Sequence, residues 1–159
     1  MHKPFKEPVS VLVLIHTPDL SVLLLERTAH PGFWQSVTGS VEPGETLAAT
    51  ALREVAEETG ILAEPQDLED WSLRNTYEIF PQWRHRYAPG VTENVEHVFS
   101  LTVPEQFRVS LRADEHRDFC WLPWQSAADR VFSWTNRDAI LLLATGAIRQ
   151  CRPGGQQDI

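Results

Sequence analysis

The sequence predicts an α/β fold in which a mixed β-sheet is sandwiched between α-helices. Two observations predict it: apolar, β-branched runs bounded by turn residues recur along the chain, and two helical patterns interrupt and close the series of strands. The chain has 159 residues, 42% of them hydrophobic, which is enough for one domain with a full core. We expect residues 1–150 to form this single domain and residues 151–159 to be a flexible C-terminal tail.

Two apolar runs begin the predicted sheet. Val9–Ile15 is a continuous apolar run typical of a buried strand, and Val22–Leu25 follows a Pro-Asp turn as its partner. Arg27 closes the second strand, where the residues alone allow either a surface charge or a phosphate contact. Ala29–Ser40 is then predicted to be a loop with a short strand that leads towards the first helix.

The first helix is the most clearly marked element of the chain. Thr46 can cap its N-terminus, because the hydroxyl can accept a hydrogen bond from a free amide of the first turn. Gly60 stands where a left-handed C-terminal cap is needed. Between these limits, apolar residues at three- and four-residue steps form a stripe that can be buried: Leu47, Ala51, Leu52 and Val55.

Three carboxylates share one face of this helix, at Glu54, Glu57 and Glu58. Like charges at these spacings repel one another, and the helix macrodipole disfavours them near the C-terminus. Arg53 offsets only one of the three charges. A solvated acidic face is the simplest interpretation of an isolated cluster, whereas a divalent cation such as Mg²⁺ or Mn²⁺ would account for all three carboxylates.

The second half of the chain supplies the remaining strands and the last helix. A polar connection at Pro65–Asp70 follows the first helix. The predicted strands are Leu73–Phe80, Val95–Val103, Phe107–Leu111 and Asp118–Leu122, and the last helix is Thr135–Ile148, with Ile140 and Leu141 among its core residues.

A long loop at Pro81–Glu93 separates two of these strands. Cationic or titratable residues alternate in it with aromatic ones, in the run Trp83, Arg84, His85, Arg86 and Tyr87. Loops of this length inside a compact domain are often functional. The loop could hold phosphates and a flat ring, or it could be a solvated basic tip, and the residues alone favour neither.

Composition excludes several classes of function. The formal net charge of −8 argues against a general nucleic-acid or membrane-surface binder. The two cysteines, Cys120 and Cys151, lack metal-type spacing, and no apolar run reaches membrane-spanning length. We therefore expect a cytoplasmic protein with no nucleic-acid partner and no membrane contact. No feature of the sequence indicates an oligomeric state.

The loop and helix together carry a motif of fixed spacing. Gly39 is followed after five residues by Glu45, and after seven more by the run REVAEETGI from Arg53 to Ile61. This pattern resembles the Nudix box at every defining position. The resemblance implies a Nudix fold and a hydrolase that splits a nucleoside diphosphate linked to another group.

Roles for box residues follow from the same resemblance. Glu54 and Glu58 would be metal ligands, and Glu57 would be a ligand or would assist the catalytic water. Glu45 would pair with Arg53 and so hold the loop against the helix.

Segments outside the box are similar to one branch of the Nudix family, whose members act on dihydroneopterin triphosphate. They are FWQSVTGSVEPGE from Phe33, EIF from Glu78, RHRYAPGVT from Arg84, Glu115-His116, and WTNR from Trp134. This similarity implies that Glu115 is a third metal ligand and that residues 77–80 line a pterin pocket. The substrate contacts it implies are Lys6, Arg27, Thr38, Tyr77, Glu78, Ile79, Phe80, His116 and Ser133.

The reaction implied is Mg²⁺-dependent hydrolysis of a phosphoanhydride, with Mn²⁺ as an alternative cofactor. Dihydroneopterin triphosphate would yield dihydroneopterin monophosphate and pyrophosphate, a step of folate biosynthesis, with Glu57 or Glu115 activating the water. One alternative is a Nudix hydrolase of nucleoside triphosphates, oxidised nucleotides or dinucleoside polyphosphates. Another is a Nudix-fold binding protein without turnover, which would be expected to lose the box carboxylates that this chain retains.

Overall fold

The computed structural model describes residues 4–146. All the strands and helices expected from the sequence lie within this range, except for the last residues of the final helix. In chain order the elements are β1 (Val9–His16), β2 (Ser21–Arg27), β3 (Trp34–Gln35), β4 (Val37–Ser40), α1 (Leu47–Thr59), a 3-10 turn (Pro65–Asp67), β5 (Leu68–Glu78), a second 3-10 turn (Pro81–Arg86), β6 (Glu93–Thr102), β7 (His116–Pro123), α2 (Trp124–Arg130) and α3 (Trp134–Thr145).

The sheet is mixed, and a parallel pair lies at its centre. The strand order is β3-β2-β1-β6-β5, with β4 also paired to β1 and β7 to β2. β1 runs parallel to β6, and the other strand pairs of the described chain are antiparallel. Along the β2–β7 pair the register shifts after Glu26, so that Arg27 lies opposite His116. The shift places a cation and an imidazole side by side on neighbouring strands.

Helices cover both faces of the sheet, as a sandwich requires. Successive residues of a strand point to opposite faces, so Val11 and Val13 of β1 pack on the side of α1 while Leu12 and Leu14 pack on the side of α2 and α3. The α1 side contributes Ala51 and Val55 to its cluster, and the α3 side contributes Ala139 and Ile140 among others. The predicted α/β sandwich is therefore confirmed.

Both ends of α1 are capped as predicted. The Thr46 hydroxyl accepts a hydrogen bond from the amide of Ala49 at 3.1 Å, and Gly60 adopts the left-handed conformation with φ 78°. The stripe of buried residues is shifted from the predicted one, because Leu52 is only half-buried while Glu54 and Glu58 face inward. Buried carboxylates contradict the interpretation of this helix as a solvated acidic face.

Two strand predictions need correction. Phe107–Leu111 is not a strand: Val109 packs into the α1-side core, and the amide of Ser110 donates to the carbonyl of Thr59 at 3.0 Å. Val109 and Leu111 therefore pack against the core beside the end of α1 without a strand partner, whereas Phe107 is exposed. The strand predicted at Leu73–Phe80 is β5, which begins at Leu68 and ends at Glu78, so the polar connection before it is shorter than expected.

The last helix starts and ends on clear signals. The Ser133 hydroxyl accepts from the amide of Asn136 at 3.2 Å, and Gly146 ends the helix with φ 72°. Ile140 is buried as predicted, but Leu141 is 42% exposed, because one step along a helix rotates a side chain by about 100°. The end predicted at Ile148, the tail at residues 151–159 and Cys151 lie outside the described residues. No helix among residues 4–146 is long and apolar enough to cross a membrane.

Candidate active site

Two adjoining cavities lie on the side of the molecule where α1 approaches β4. We call the larger the polar groove, a space of about 590 Å³, and the smaller the aromatic slot, of about 170 Å³. Six residues line both cavities, so a ligand can extend from one into the other: Arg27, Gln35, Thr38, Tyr77, Trp83 and Tyr87.

Arg53 fastens the glycine-rich loop to α1. Its Nε and Nη2 atoms donate to the two carboxylate oxygens of Glu45 at 2.7 and 2.9 Å, and Nη2 also donates to the carbonyl of Ser40 at 3.1 Å. The hydrogen bonds from Arg53 lower the pKa of Glu45 to about 2. The predicted Glu45–Arg53 contact is present, and it holds the loop and β4 in one position beside the helix.

Gly39 allows α1 to approach β4 closely. A Cβ atom at this position would overlap the carboxyl group of Glu54. A side chain on Gly39 would therefore displace Glu54 from the groove. The glycine of the motif is required here by close packing rather than by a special backbone dihedral angle.

Glu54 and Glu58 present buried carboxylates to the polar groove. The residue exposures are 9% for Glu54 and 1% for Glu58. Glu54 Oε1 accepts from Arg53 at 2.6 Å, whereas neither oxygen of Glu58 has a hydrogen-bond partner among the described residues. Burial, reinforced by the neighbouring Glu54, raises the pKa of Glu58 well above its usual range.

The unsatisfied oxygens of Glu58 fit a cation site. Buried polar atoms are nearly always hydrogen-bonded, so two free carboxylate oxygens call for a partner that is not part of the chain. Hard divalent cations prefer such oxygens. Within residues 4–146, no three acidic, histidine or cysteine side chains converge as a ready-made ligand set. The chain therefore offers part of a coordination shell, which phosphate oxygens and waters would have to complete.

His116 lies in the groove next to Glu58. A histidine at this position would by default be on the surface, but its exposure is 4%. Burial, together with the charge of Arg27, lowers the pKa of His116 to about 4, so the ring is neutral near pH 7. The 3.7 Å distance from Nε2 to Glu58 Oε1 is therefore not an ion pair, and Nε2 lies 3.2 Å from Gln35 Nε2.

Cationic side chains line the groove opposite the carboxylates. Burial and the charge of Arg86 lower the pKa of Arg27, and the same two causes lower the pKa of Lys6. The Arg27 guanidinium also lies 4.8 Å from the centroid of the Trp83 ring. Arg86 lowers the pKa of both Arg27 and Lys6 even with Glu115 nearby, and three cations held this close together favour an anionic ligand such as a polyphosphate.

The structure brings most of the sequence-predicted residues together. The polar groove is lined by Lys6, Arg27, Thr38, Glu54, Glu58, Glu115 and His116, and the slot by Tyr77, Glu78, Ile79, Phe80 and Ser133 in addition to Arg27 and Thr38. Glu57 lines neither cavity; its carboxylate lies 3.4 Å from Arg53 and 3.8 Å from Arg112.

Several lining residues were missed from the sequence. They are polar side chains on strands or helix starts, Gln35, Asn94, Glu96 and Asn136, together with Phe132. The one available signal was the polar pair Asn94 and Glu96, two residues apart on either side of Val95. Period-two spacing places both on one face of β6, and both are buried.

Unsatisfied polar atoms are concentrated in these cavities. Within residues 4–146, the buried side-chain atoms without a hydrogen-bond partner belong to Arg27, Glu58, Asn94, Glu96 and His116. Each of the five lines the groove or the slot. Because such atoms are costly elsewhere in a folded protein, their clustering identifies the two cavities as a binding site.

Comparison with known proteins gives a consistent result. The NUDIX domain model matches residues 6–143. The dihydroneopterin triphosphate diphosphatase of Escherichia coli (strain K12) is 48% identical over 141 residues, covering 87% of this chain and 93% of that protein. The enzyme of the same name from Haemophilus influenzae is 42% identical over 139 residues, covering 86% and 87%.

Solved structures agree with the sequence relatives. The E. coli dihydroneopterin triphosphate pyrophosphohydrolase superposes with a TM-score of 0.84 at 44% identity, covering 91% of this chain and 99% of that chain. A Nudix hydrolase from Listeria monocytogenes superposes with a TM-score of 0.69 at 22% identity, covering 91% and 94%, and shows the shared fold alone.

Proposed function

The chain belongs to the Nudix family, and from that premise we propose that it is a pyrophosphohydrolase that converts dihydroneopterin triphosphate into dihydroneopterin monophosphate and pyrophosphate. The observation that carries the proposal is the junction of two cavities of different chemistry. A groove with carboxylates and cations suits a triphosphate and its counter-ion, and an aromatic slot beside it suits a flat ring.

Hydrolases of this family generally use divalent metal ions, and the free oxygens of Glu58 fit one. We propose Mg²⁺, with Mn²⁺ as an alternative, held by Glu54, Glu58 and Glu115. When bound, the cation would neutralise phosphate charge and activate a water molecule. Arg53, which donates to Glu54 and Glu45, keeps the box carboxylates in position.

Arg27 and Lys6 would hold the phosphates. A guanidinium can bind two phosphate oxygens at once, whereas an ammonium acts as a point charge. The Nε of Arg27 is buried and without a hydrogen-bond partner among the described residues, so one donor is free for a ligand. His116, neutral and buried beside Glu58, could donate to a phosphate oxygen.

Two glutamates remain candidates for accepting the proton of the attacking water. Glu115 is exposed and lines the groove. Glu57 lies outside it and within ion-pair distance of Arg53 and Arg112. The position of Glu115 supports it as the base, while Glu57 would need to leave its arginine partners to reach the water.

The aromatic slot would hold the pterin. Residues 77–80 form one wall, and Trp83 and Phe132 contribute rings at 6.3 Å in an edge-to-face arrangement. Thr38, which lines both cavities, and Ser133, which lines the slot, would contact the sugar-like side chain or the first phosphate. Stacking on aromatic rings stabilises a flat ligand even where no hydrogen bond to the ring is made.

Phosphorus NMR of the reaction mixture tests the proposal. We expect dihydroneopterin triphosphate and Mg²⁺ to give pyrophosphate, with no orthophosphate as the first product. Glu58→Gln should stop the reaction, and Glu105→Gln, which removes a charge from an exposed residue that lines neither cavity, should not. Release of orthophosphate first, or full activity in Glu58→Gln, would contradict the assignment.

A further inference from the structure

One buried carboxylate of the aromatic slot has no role in the chemistry described above. Glu96 lies on β6, its exposure is 5%, and it lines the slot rather than the polar groove. The Thr135 hydroxyl hydrogen-bonds to the carboxyl group, but Oε1 has no partner among the described residues. A buried acceptor left free in this way is costly unless a ligand supplies the donor.

Among the described residues, Glu96 forms no salt bridge, although Arg27 also lines the slot. Apolar, aromatic and hydroxyl-bearing side chains, including Leu12, Tyr77 and Thr135, make up much of the rest of the lining. Burial raises the pKa of Glu96 to about 7, and its charge in turn contributes to a raised pKa for the Tyr77 phenol. The group therefore gains most from a ligand that presents N–H donors to it.

Other polar groups of the slot are already engaged. Asn136 exchanges hydrogen bonds with Ser36, through its Oδ1 at 2.8 Å and its Nδ2 at 3.0 Å. The Thr38 hydroxyl donates to the carbonyl of Val11 at 2.9 Å. Among buried slot atoms of residues 4–146, the free donor Arg27 Nε and the free acceptor Glu96 Oε1 remain.

We propose that Glu96 selects the ring of the substrate by accepting hydrogen bonds from a ring N–H and the adjacent exocyclic amino group. A pterin presents these two donors side by side along one edge, and a carboxylate matches that pair. The inference rests on the proposed function for the identity of the ring. Guanine carries the same pair of donors along one edge, whereas rings with a carbonyl in place of the amino group would face the carboxylate with a lone pair.

Such recognition would make Glu96 a specificity-determining residue. Sites that hydrogen-bond a substrate N–H reject analogues that lack it, because the buried acceptor is left unpaired. The triphosphate would bind in the groove whatever the ring. Glu96 would then favour rings that carry this pair of donors over rings that lack it.

Equilibrium dialysis with two free rings tests this directly. The probes are pterin and its dioxo analogue lumazine, in which oxygen replaces the exocyclic amino group. The wild-type protein should bind pterin at least about tenfold more tightly than lumazine, the ratio expected for one charged hydrogen bond. In Glu96→Gln the ratio should fall to within roughly threefold, because a neutral amide accepts more weakly and turns a donor towards the ring.

The matched control is Glu105→Gln, which removes the same charge from an exposed residue that lines neither cavity. It should keep the wild-type ratio. If Glu96→Gln fails to fold, Glu96→Asp takes its place in the test. This variant retains the charge but withdraws it from the ring, so it should also lose the preference for pterin. Equal binding of the two rings by the wild type, binding of neither, or an unchanged ratio in a folded Glu96 variant would overturn the proposal.

Binding of free rings is independent of turnover, so the two proposals can fail separately. A protein that prefers pterin to lumazine through Glu96 but does not hydrolyse dihydroneopterin triphosphate would contradict the proposed function and leave this inference standing. A protein that hydrolyses the triphosphate but binds both rings equally would do the reverse.

Discussion

The polar groove and the aromatic slot adjoin, but they are built from different parts of the chain. The buried carboxylates of the groove come from one helix, α1, and the arginine and glycine that position them lie within the same short segment. The slot is assembled from all six strands β1 to β6, the loop before β6, and the start of α3 with the residues just before it. The buried carboxylates proposed to hold the cation are thus local in the sequence, whereas the phosphate contacts and the selection of the ring depend on long-range packing.

The largest expected effect comes from the groove. Glu58→Gln should lower kcat by at least about 100-fold, since loss of a ligand to the cation removes roughly 3 kcal/mol or more of transition-state stabilisation. Binding of free pterin in the slot should not change. Steady-state kinetics and equilibrium dialysis measure the two effects, and loss of pterin binding in this variant would show that the two cavities are not independent.

The same variant should not destabilise the metal-free protein. Glu58 is 1% exposed with both oxygens unpartnered among the described residues, so the neutral amide costs less to bury than a carboxylate. We expect an equal or higher Tm in the presence of a chelator. A large drop in Tm would mean that Glu58 has a structural role.

Arg27 lines both cavities, so its substitution should weaken binding of the phosphates and of the ring together. Arg27→Ala should reduce kcat/KM for dihydroneopterin triphosphate by roughly 10- to 100-fold, because a charge-assisted contact to phosphate and the stacking on Trp83 are both lost. Arg27→Lys should recover only part of it, since an ammonium cannot bind two oxygens in a fixed geometry. Unchanged kcat/KM in Arg27→Ala would remove this residue from the site.

A change confined to the slot should affect KM more than kcat. Trp83→Leu removes the ring between Phe80, Phe132 and Arg27. We expect about a tenfold rise in KM for the pterin substrate with kcat little changed, because stacking on one ring contributes on the order of 1–2 kcal/mol. Phe107→Ala, which removes an exposed ring that lines neither cavity, is the control. If kcat of Trp83→Leu fell by about the same factor as KM rises, the slot would also position the reacting phosphate.

The ion pair between Glu45 and Arg53 fastens the glycine-rich loop to α1. Breaking it should have the smallest effect on activity but a measurable effect on stability. The pKa of Glu45 is about 2 in the folded protein, against an ordinary value near 4.5, so the folded state binds this proton less readily than the unfolded state. The pair therefore stabilises the fold fully above pH 4.5, and the contribution is lost as the pH falls towards 2.

Glu45→Gln should remove about 1–3 kcal/mol from the free energy of unfolding at pH 7 and flatten its decline between these pH values. Urea unfolding at several pH values measures both quantities. The exposed Glu105→Gln variant should follow the wild-type curve. A Glu45→Gln protein with the wild-type pH dependence would show that this ion pair does not account for acid destabilisation.

The contrast between the two cavities also explains which features of the fold and of the site could be predicted from the sequence. The caps at Thr46 and Gly60 and the spacing of Glu54 and Glu58 are local features, and the structure contains them at the expected positions. The helical pattern of the sequence could not predict that Glu54 and Glu58 are buried, because such a pattern assigns carboxylates to the polar face. Their burial depends on how closely Gly39 lets α1 approach β4.

Residues outside the motif were harder to predict for a physical reason. Phe107–Leu111 has the composition of a strand, yet whether an apolar segment pairs or packs depends on which sheet edge is free, and no local pattern records that. Glu96 likewise enters the site through the parallel pairing of β6 with β1, which places it opposite Ser10. Pairing over such a separation in sequence is a property of the whole fold.

The most direct test of this account is the substrate preference of the wild-type protein. Pyrophosphate release with Mg²⁺ would be measured from dihydroneopterin triphosphate, the common nucleoside triphosphates, an oxidised purine nucleotide and a dinucleoside polyphosphate. The account predicts a kcat/KM for the pterin at least about tenfold above every nucleotide, equivalent to roughly 1.4 kcal/mol of selection by the slot. A higher kcat/KM for any nucleotide would contradict it, since the groove would then serve a different ring.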